Sequence, residues 1–348
     1  MKEILVTGGA GYIGSNTVKL LIETGAKESP VRVVIIDNLL TGHKELVHPK
    51  AVFYEIDLLD YKKLKEIFLK YKFDTVIHFA GVSQVEESEK NPKKYFSNNV
   101  LGGLNLLKVM AETGCRKIIF SSSASVYGEP LRIPIDEDHP IKPISTYGKT
   151  KAIFEESLRY FDKLYGIKYL SLRYFNAGGS SDDHKFGEIH NPETHLIPTV
   201  LKLAKQNKIV HIFGDDYKTP DGTCVRDYIH VVDLAKAHIK AMKYLNSEDP
   251  RHESAVINLG SSKGFSVKEI IDLCGKAMGK KIKTKISPRR KGDPETLIAS
   301  NKKAKHLLKW KPEKTIYDIV ESAWKFESKL GRTRQSAPRP TPQSNSQS

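Results

Sequence analysis

Six short runs rich in β-branched residues, Ile4–Thr7, Val31–Asp37, Val52–Asp57, Thr75–Ala80, Lys117–Ser122 and Tyr169–Tyr174, alternate with longer polar segments of helical period. Strands buried on both faces read as near-continuous apolar runs, and strands joined through helices lie parallel. The order predicts an α/β fold, a Rossmann-type doubly wound parallel sheet. One connecting helix is plainly periodic: Phe154, Leu158, Phe161 and Tyr165 recur at three- and four-residue steps, the segment opens near Tyr147, and Gly166 follows as a C-cap. After Asn176 the alternation weakens into glycine- and proline-punctuated stretches, Ala177–Ser181 and Thr219–Gly222. They predict a first domain over 1–176 and a smaller α/β substrate-binding lobe over 177–330, with some lobe segments free to return to the first domain. Residues 331–348 hold four serines, three glutamines, three prolines and three arginines, with no acid and no aromatic, and read as a disordered tail.

Composition narrows the function classes. With 39% hydrophobic and 28% charged residues the chain is not disordered as a whole, and no apolar run nears the roughly 20 residues that span a bilayer, so no membrane partner is expected. The run Ile4-Leu5-Val6 ends in glycines with no cleavage pattern after it, which favours a cytoplasmic location. Cys115, Cys224 and Cys274 form no CxxC pair and read as small core residues. The net charge of +15 is sharpest at Lys276, Lys280, Lys281, Lys283, Lys285, Arg289, Arg290 and Lys291, where no aromatic is interleaved to stack on bases. That run reads as a solvated face, and no nucleic-acid partner is expected. The twelve histidines show no HxxxH or HExxH spacing, and His78 and His230 sit in apolar contexts, so no metal is expected.

Thr7-Gly8-Gly9-Ala10-Gly11-Tyr12-Ile13-Gly14 leaves the first strand and opens an amphipathic segment, as a phosphate-cradling βα turn does. Side chains at Gly8 and Gly11 would keep a pyrophosphate from the backbone N–H groups, and one at Gly14 would hold the helix off the sheet. Asp37 ends the next strand 23 residues after Gly14, where a carboxylate accepts from an adenosine ribose and repels a 2′-phosphate, which favours NAD over NADP. Downstream, Tyr147-Gly148-Lys149-Thr150-Lys151 puts Tyr147 and Lys151 on one helix face. A phenol of pKa about 10 is a poor base at neutral pH, and bringing it to about 7 takes roughly 4 kcal/mol, about what a cation near 4 Å supplies at an effective dielectric of about 20. Lys151 and the positive nicotinamide ring are expected to act together on it. Ser121-Ser122-Ser123 closes the fifth strand, and Ser123 is the expected hydrogen-bond partner of a substrate hydroxyl.

The GxxGxxG spacing resembles the extended short-chain dehydrogenase/reductase superfamily. Over about the first 330 residues the chain further resembles the UDP-glucose 4-epimerase family, through His78-Phe79-Ala80-Gly81, Asn98-Asn99-Val100, Ser121 to Gly128, Leu172-Arg173-Tyr174-Phe175-Asn176 and Asp221 to His230. The resemblance implies that Tyr147 is the acid/base, Ser123 its partner and Lys151 the electrostatic and ribose residue. It implies cofactor contacts at Gly8, Gly11, Tyr12, Ile13, Gly14, Asp37, Asn38, Asp57 (at the adenine amine), Leu58, Phe79, Ala80, Gly81, Asn98, Tyr147, Lys151 and Tyr174. It implies contacts to a UDP-sugar at Asn99, Ser123, Tyr147, Asn176, His195, Leu196, Phe213 (beside uracil), Arg226, Arg290, Asp293 and Leu297, and a homodimer built on helices such as the one after Tyr147. Related dehydratases and decarboxylases carry acids where this chain has Ala124 and Ser125. UDP-glucuronate 4-epimerase is the alternative kept from that comparison, and a net NAD(P)-dependent oxidoreductase the alternative from another reaction class. Two positions depart from the family pattern: Ser83 stands where some members have lysine, and Leu297 where residue size governs entry of N-acetylated sugars, so UDP-N-acetylglucosamine is a further alternative substrate.

Overall fold

In the computed structural model, residues 1–336 are described apart from 26–29, 248, 250–252 and 291, so Lys291 of the basic run and the expected tail from 337 onward lie outside the described residues. Six strands, β1 (Lys2–Thr7), β2 (Val31–Asp37), β3 (Val52–Glu55), β4 (Thr75–His78), β5 (Lys117–Ser123) and β6 (Lys168–Tyr174), join the strand Ala255–Leu259 in one all-parallel sheet. From edge to edge the order is Ala255–Leu259, β6, β5, β4, β1, β2, β3. The order reverses between β1 and β4, and a crevice opens there beyond the strand ends.

Alternation along each strand assigns its side chains to two helical layers. Ile4, Val6, Val33 and Ile35 pack with Val18 and Leu21 of the helix Tyr12–Gly25 and with Leu234, Ala237 and Ala241 of the helix Val231–Leu245. Leu5, Val34, Ile36, Val76 and Ile118 face the other way, onto Leu64, Ile67, Leu106, Met110, Phe154 and Leu158. Each such buried aliphatic side chain contributes about 1.5–3 kcal/mol, which holds the strand ends rigidly in register. The strand Ala255–Leu259 and the helix Val231–Leu245 come after residue 176 yet belong to this sheet and its layer.

Beside the sheet, Ile197, Leu201, Ile212, Tyr228, Ile270, Ile319 and Val320 form a separate core among the helices Leu196–Lys205, Val267–Met278 and Ile316–Ser336. Small sheets flank it: Val225–His230 pairs with Gly264–Ser266, Thr296–Leu297 and Asn176–Gly178, and Val210–Phe213 pairs with Thr284–Ser287. Several boundaries differ from expectation. β3 stops at Glu55, and β4 stops at His78, where Phe79 and Ala80 both donate to the Thr7 carbonyl and the chain turns across the end of β1. The last helix continues through 331–336, past the boundary read from composition. Cys115, Cys224 and Cys274 are buried and free, and no helix among the described residues is long and apolar enough to cross a membrane.

Candidate functional site

A cavity of about 370 Å³ occupies the crevice, and every residue expected to touch the cofactor lines it, together with Ser123, Asn176, His195, Leu196 and Leu297. The glycine turn is built by close backbone approach. Gly8 has φ +74°, and a Cβ on it would lie 2.5 Å from the Ala80 nitrogen; one on Gly14 would lie 2.1 Å from the Gly8 carbonyl oxygen. Gly8, which lines the cavity, is therefore also required by the seam between the β1 and β4 loops. Gly11 is different. A Cβ there would meet only the Gly8 oxygen, at 3.3 Å, so that position is open at the N-terminus of the helix Tyr12–Gly25.

The Asp37 carboxylate accepts from the Ala10 and Leu39 N–H groups at 3.0 and 2.9 Å, and burial raises its pKa against those bonds. Asp57 accepts from Asn38 Nδ2 at 2.8 Å and from the Leu59 N–H at 2.8 Å, which ties two expected adenosine residues to each other. Leu40, Thr41 and Gly42 also line this end and were missed; their only signal is position directly after a strand that ends in an acid.

The reactive centre lies where β5 meets the helix Thr146–Tyr165. That helix starts at Ser145, whose hydroxyl caps the Gly148 N–H at 3.1 Å, and stops at Gly166, φ +65°. Tyr147 is buried and burial pushes its phenol up to about 12, with a hydrogen bond from Ser123 pulling it down. Lys151 lies 5.8 Å from the Tyr147 ring centroid and donates to the Ser121 carbonyl at 2.8 Å; burial brings it down to about 8 while Glu155 works against the fall. Within the chain itself burial outweighs what Ser123 supplies, and the Lys151 ammonium, with one N–H held by the Ser121 carbonyl, keeps two further donors and its charge beside the phenol.

Beneath these groups lies a polar network that the sequence reading missed. Glu155 accepts from Ser122 Oγ at 2.6 Å and from Arg173 Nε at 2.9 Å, Arg173 donates to the Tyr127 hydroxyl at 2.9 Å, and Tyr127 donates to Asn258 at 2.7 Å. Its one local signal is spacing: Tyr147, Lys151 and Glu155 fall four residues apart on the buried helix face. Asn98 lines the cleft from a π turn at Phe96–Leu101, whereas Asn99 does not. Asn99, expected at the sugar, accepts from the Val82 N–H at 2.8 Å and donates to the Val82 carbonyl and Thr150 Oγ1 at 3.0 Å each, so it clamps the β4 loop to the reactive helix.

The remaining expected substrate residues gather on the smaller lobe. Leu297 pairs in register with Arg226, whose guanidinium reaches Asp293 at 3.5 Å, and Arg290 stacks 4.1 Å from the centroid of Phe213. Of these five, Leu297 lines the cleft, whereas Phe213, Arg226, Arg290 and Asp293 do not. Asn176 donates to the Asp227 carbonyl at 3.0 Å. Glu188, His190, Glu193 and His195 converge, with donor atoms within 4.8 Å of one another, and His190 and His195 line the cleft. Both imidazole Nδ1 atoms face the Glu188 carboxylate.

Residues 4–260 match the model of the NAD dependent epimerase/dehydratase family. The chain is 48% identical over 325 residues to the UDP-glucose 4-epimerase of Lacticaseibacillus casei, covering 93% of this chain and 96% of the relative. Among solved structures it is similar to UDP-glucose 4-epimerase from Brucella ovis in complex with NAD, at a TM-score of 0.88 and 41% identity over 94% of this chain and 98% of that one. It is also similar to the Bifidobacterium longum enzyme in complex with NAD+ and UDP, at a TM-score of 0.88 and 38% identity over 95% and 99%.

Proposed function

This chain belongs to the NAD dependent epimerase/dehydratase family, and on that premise we propose that it is an NAD-dependent 4-epimerase that interconverts UDP-glucose and UDP-galactose. The observation that carries the reading is the convergence, in one cleft at the sheet's switch point, of a glycine turn, the Asp37 carboxylate and the Ser123–Tyr147–Lys151 group. NAD fits the residues present. Gly11 leaves room for a diphosphate at a helix N-terminus, Asp37 offers a carboxylate to ribose hydroxyls, and Asp57 with Asn38 closes the adenosine end. When bound, the oxidised nicotinamide supplies a two-electron acceptor for C4 of the hexose, and a positive charge.

The protein's own groups do the rest. Tyr147 takes the proton of the sugar 4-hydroxyl and returns it after the 4-keto sugar has turned about its link to the diphosphate. Ser123, already bonded to Tyr147, aligns that hydroxyl, and the Lys151 ammonium, 5.8 Å from the ring centroid, is the cation placed to stabilise the phenolate together with the nicotinamide charge. Arg226, Arg290 and Phe213 hold the nucleotide while the hexose moves, so binding energy concentrates on the end that does not react. The three described cysteines are free, as in a reducing cytoplasm, and exposed Ile153, Tyr160 and Leu164 on the helix Thr146–Tyr165 support a homodimer built on that face.

The test is incubation of the purified protein with UDP-galactose, with UDP-glucose scored by chromatography. Epimer should accumulate to equilibrium with no steady change at 340 nm. A sustained 340 nm change without epimer would replace this reading by net oxidation or reduction.

A further inference from the structure

The Glu188 carboxylate is nearly enclosed, with 6% of its side chain exposed, and two imidazoles point at it. His190 Nδ1 donates at 3.1 Å, and His195 Nδ1 donates to the same oxygen. Half of the His195 side chain stays exposed on the cleft side of this contact, at the N-cap of the helix Leu196–Lys205. Beside them Glu193 accepts from the Thr194 and His195 N–H groups, each at 2.9 Å. The other titratable group facing the cluster is Tyr12 of the first helix, whose phenol is raised by burial and by Glu188 and Glu193; His43 bonds to the Ile189 carbonyl behind the loop.

A helix N-terminus disfavours a cation, so a charged His195 there needs an anion to hold it. Two acids facing two imidazoles balance when both imidazoles are protonated, and losing either proton would leave the enclosed Glu188 under-compensated. The tendencies agree: Glu188 raises the pKa of His195, opposed by burial and His190; His190 goes up to about 10; and Glu188 falls to about 2.

We propose that Glu188 is a positioning residue that keeps His195 an imidazolium through neutral and mildly alkaline pH, so that its exposed Nε2–H contacts the diphosphate of a nucleotide-sugar. This rests on the reading of the cleft given above, and extends it to a residue outside the reactive centre that governs the pH range of substrate binding.

Steady-state KM and kcat for UDP-galactose at pH 6.0 and 8.5 test the proposal, with UDP-glucose binding by calorimetry and the His195 imidazole titration by NMR alongside. UDP-sugars are diphosphate diesters, so the ligand's own charge is constant across that range. Wild-type KM should change less than about twofold between the two pH values, since an imidazole of ordinary pKa near 6.5 would lose its charge there. Glu188→Gln should raise KM about tenfold at pH 8.5, roughly 1.4 kcal/mol of lost binding, return to near wild type at pH 6.0, and leave kcat unchanged. Glu188→Asp should rescue the affinity at pH 8.5, and His195→Gln should weaken binding equally at both. The NMR resonance lost in His195→Gln should titrate above the ordinary imidazole range in the wild-type chain and fall back toward that range in Glu188→Gln.

An equal loss at both pH values in Glu188→Gln would make the role structural and overturn the proposal. So would wild-type affinity at pH 8.5 in that variant, or a divalent cation retained by the protein whose removal raises KM. If the wild-type chain does not epimerise UDP-galactose, the proposed function fails, while calorimetry and NMR still decide whether His195 is held charged against a UDP-sugar.

Discussion

The two walls of the cleft are built by different means. On the sheet side, each residue expected at the cofactor from strand ends and spacing lines the cavity. On the lobe side, Phe213, Arg226, Arg290 and Asp293 pair among themselves next to the cavity, across separations such as the 67 residues between Arg226 and Asp293. A parallel ladder between two apolar layers leaves a strand end no alternative position, whereas a lobe of short strands and loops places its arginines on exposed or half-buried surface. The histidines divide likewise. Burial holds His78 at about 3 and His238 at about 4 within the sheet's layers, and the acid-rich lobe loop holds His190 at about 10.

If the sheet side holds chemistry and the lobe side binding, the largest effect comes from Tyr147→Phe. Turnover of UDP-galactose should fall by roughly 10²–10⁴, with NAD still bound to the purified protein. Near-normal turnover would break the assignment of Tyr147. The next largest is on stability: Arg173→Met leaves the buried Glu155 carboxylate without its ion-pair partner and should cost about 3–5 kcal/mol in chemical denaturation. Adding Glu155→Leu should recover much of that loss, because the pair is then replaced rather than broken; a double variant no better than the single one would show that Arg173 acts through other contacts.

The lobe predicts the opposite pattern. Arg226→Met, at a partly exposed site, should leave the denaturation midpoint nearly unchanged and raise KM for UDP-galactose about tenfold with kcat preserved, in line with roughly 1.5–3 kcal/mol for a hydrogen bond to a charged group. A fall in kcat at constant KM would move Arg226 into the reactive machinery and erase the division between the walls.

The smallest effect is the pH dependence of folding. His78 and His238 are neutral when folded and take protons near 6.5 when unfolded, so the stability they contribute is full above about 6.5 and is lost as pH falls toward about 3 and 4. His190 has the reverse sign: its contribution is full below about 6.5 and is lost as pH rises through about 10. Melting temperature should therefore drop from pH 7 to pH 5, and His238→Gln should flatten that drop. An unchanged slope in the variant would show that His238 is not a source of it.

Sequence legibility follows the same division. The glycine turn, Asp37, Ser123 and the Tyr147–Lys151 pair were readable because each stands a fixed number of residues from a strand end or along one helix face. At Gly8 the spacing could not show a second need for glycine, since its steric partner is the Ala80 backbone, far away in the chain. Asn99 was named for the sugar because a motif shows which residue is present and not which way its amide turns. The Glu155–Arg173–Tyr127–Asn258 network joins two strands, a turn and a helix, and the Glu188–His195 contact depends on how a loop between irregular segments folds back; neither has a period to betray it.

By itself the sequence determined the parallel α/β sheet, the place of its phosphate-binding turn and the residues able to move a proton, because burial on two faces and short-range spacing leave little freedom. Tertiary structure alone decided the protonation tendencies of Tyr147, Lys151 and His195 and the partners of Asn99 and Glu155. Those depend on desolvation and on charges brought within a few ångströms by distant segments, and such energies exist only once the chain has folded.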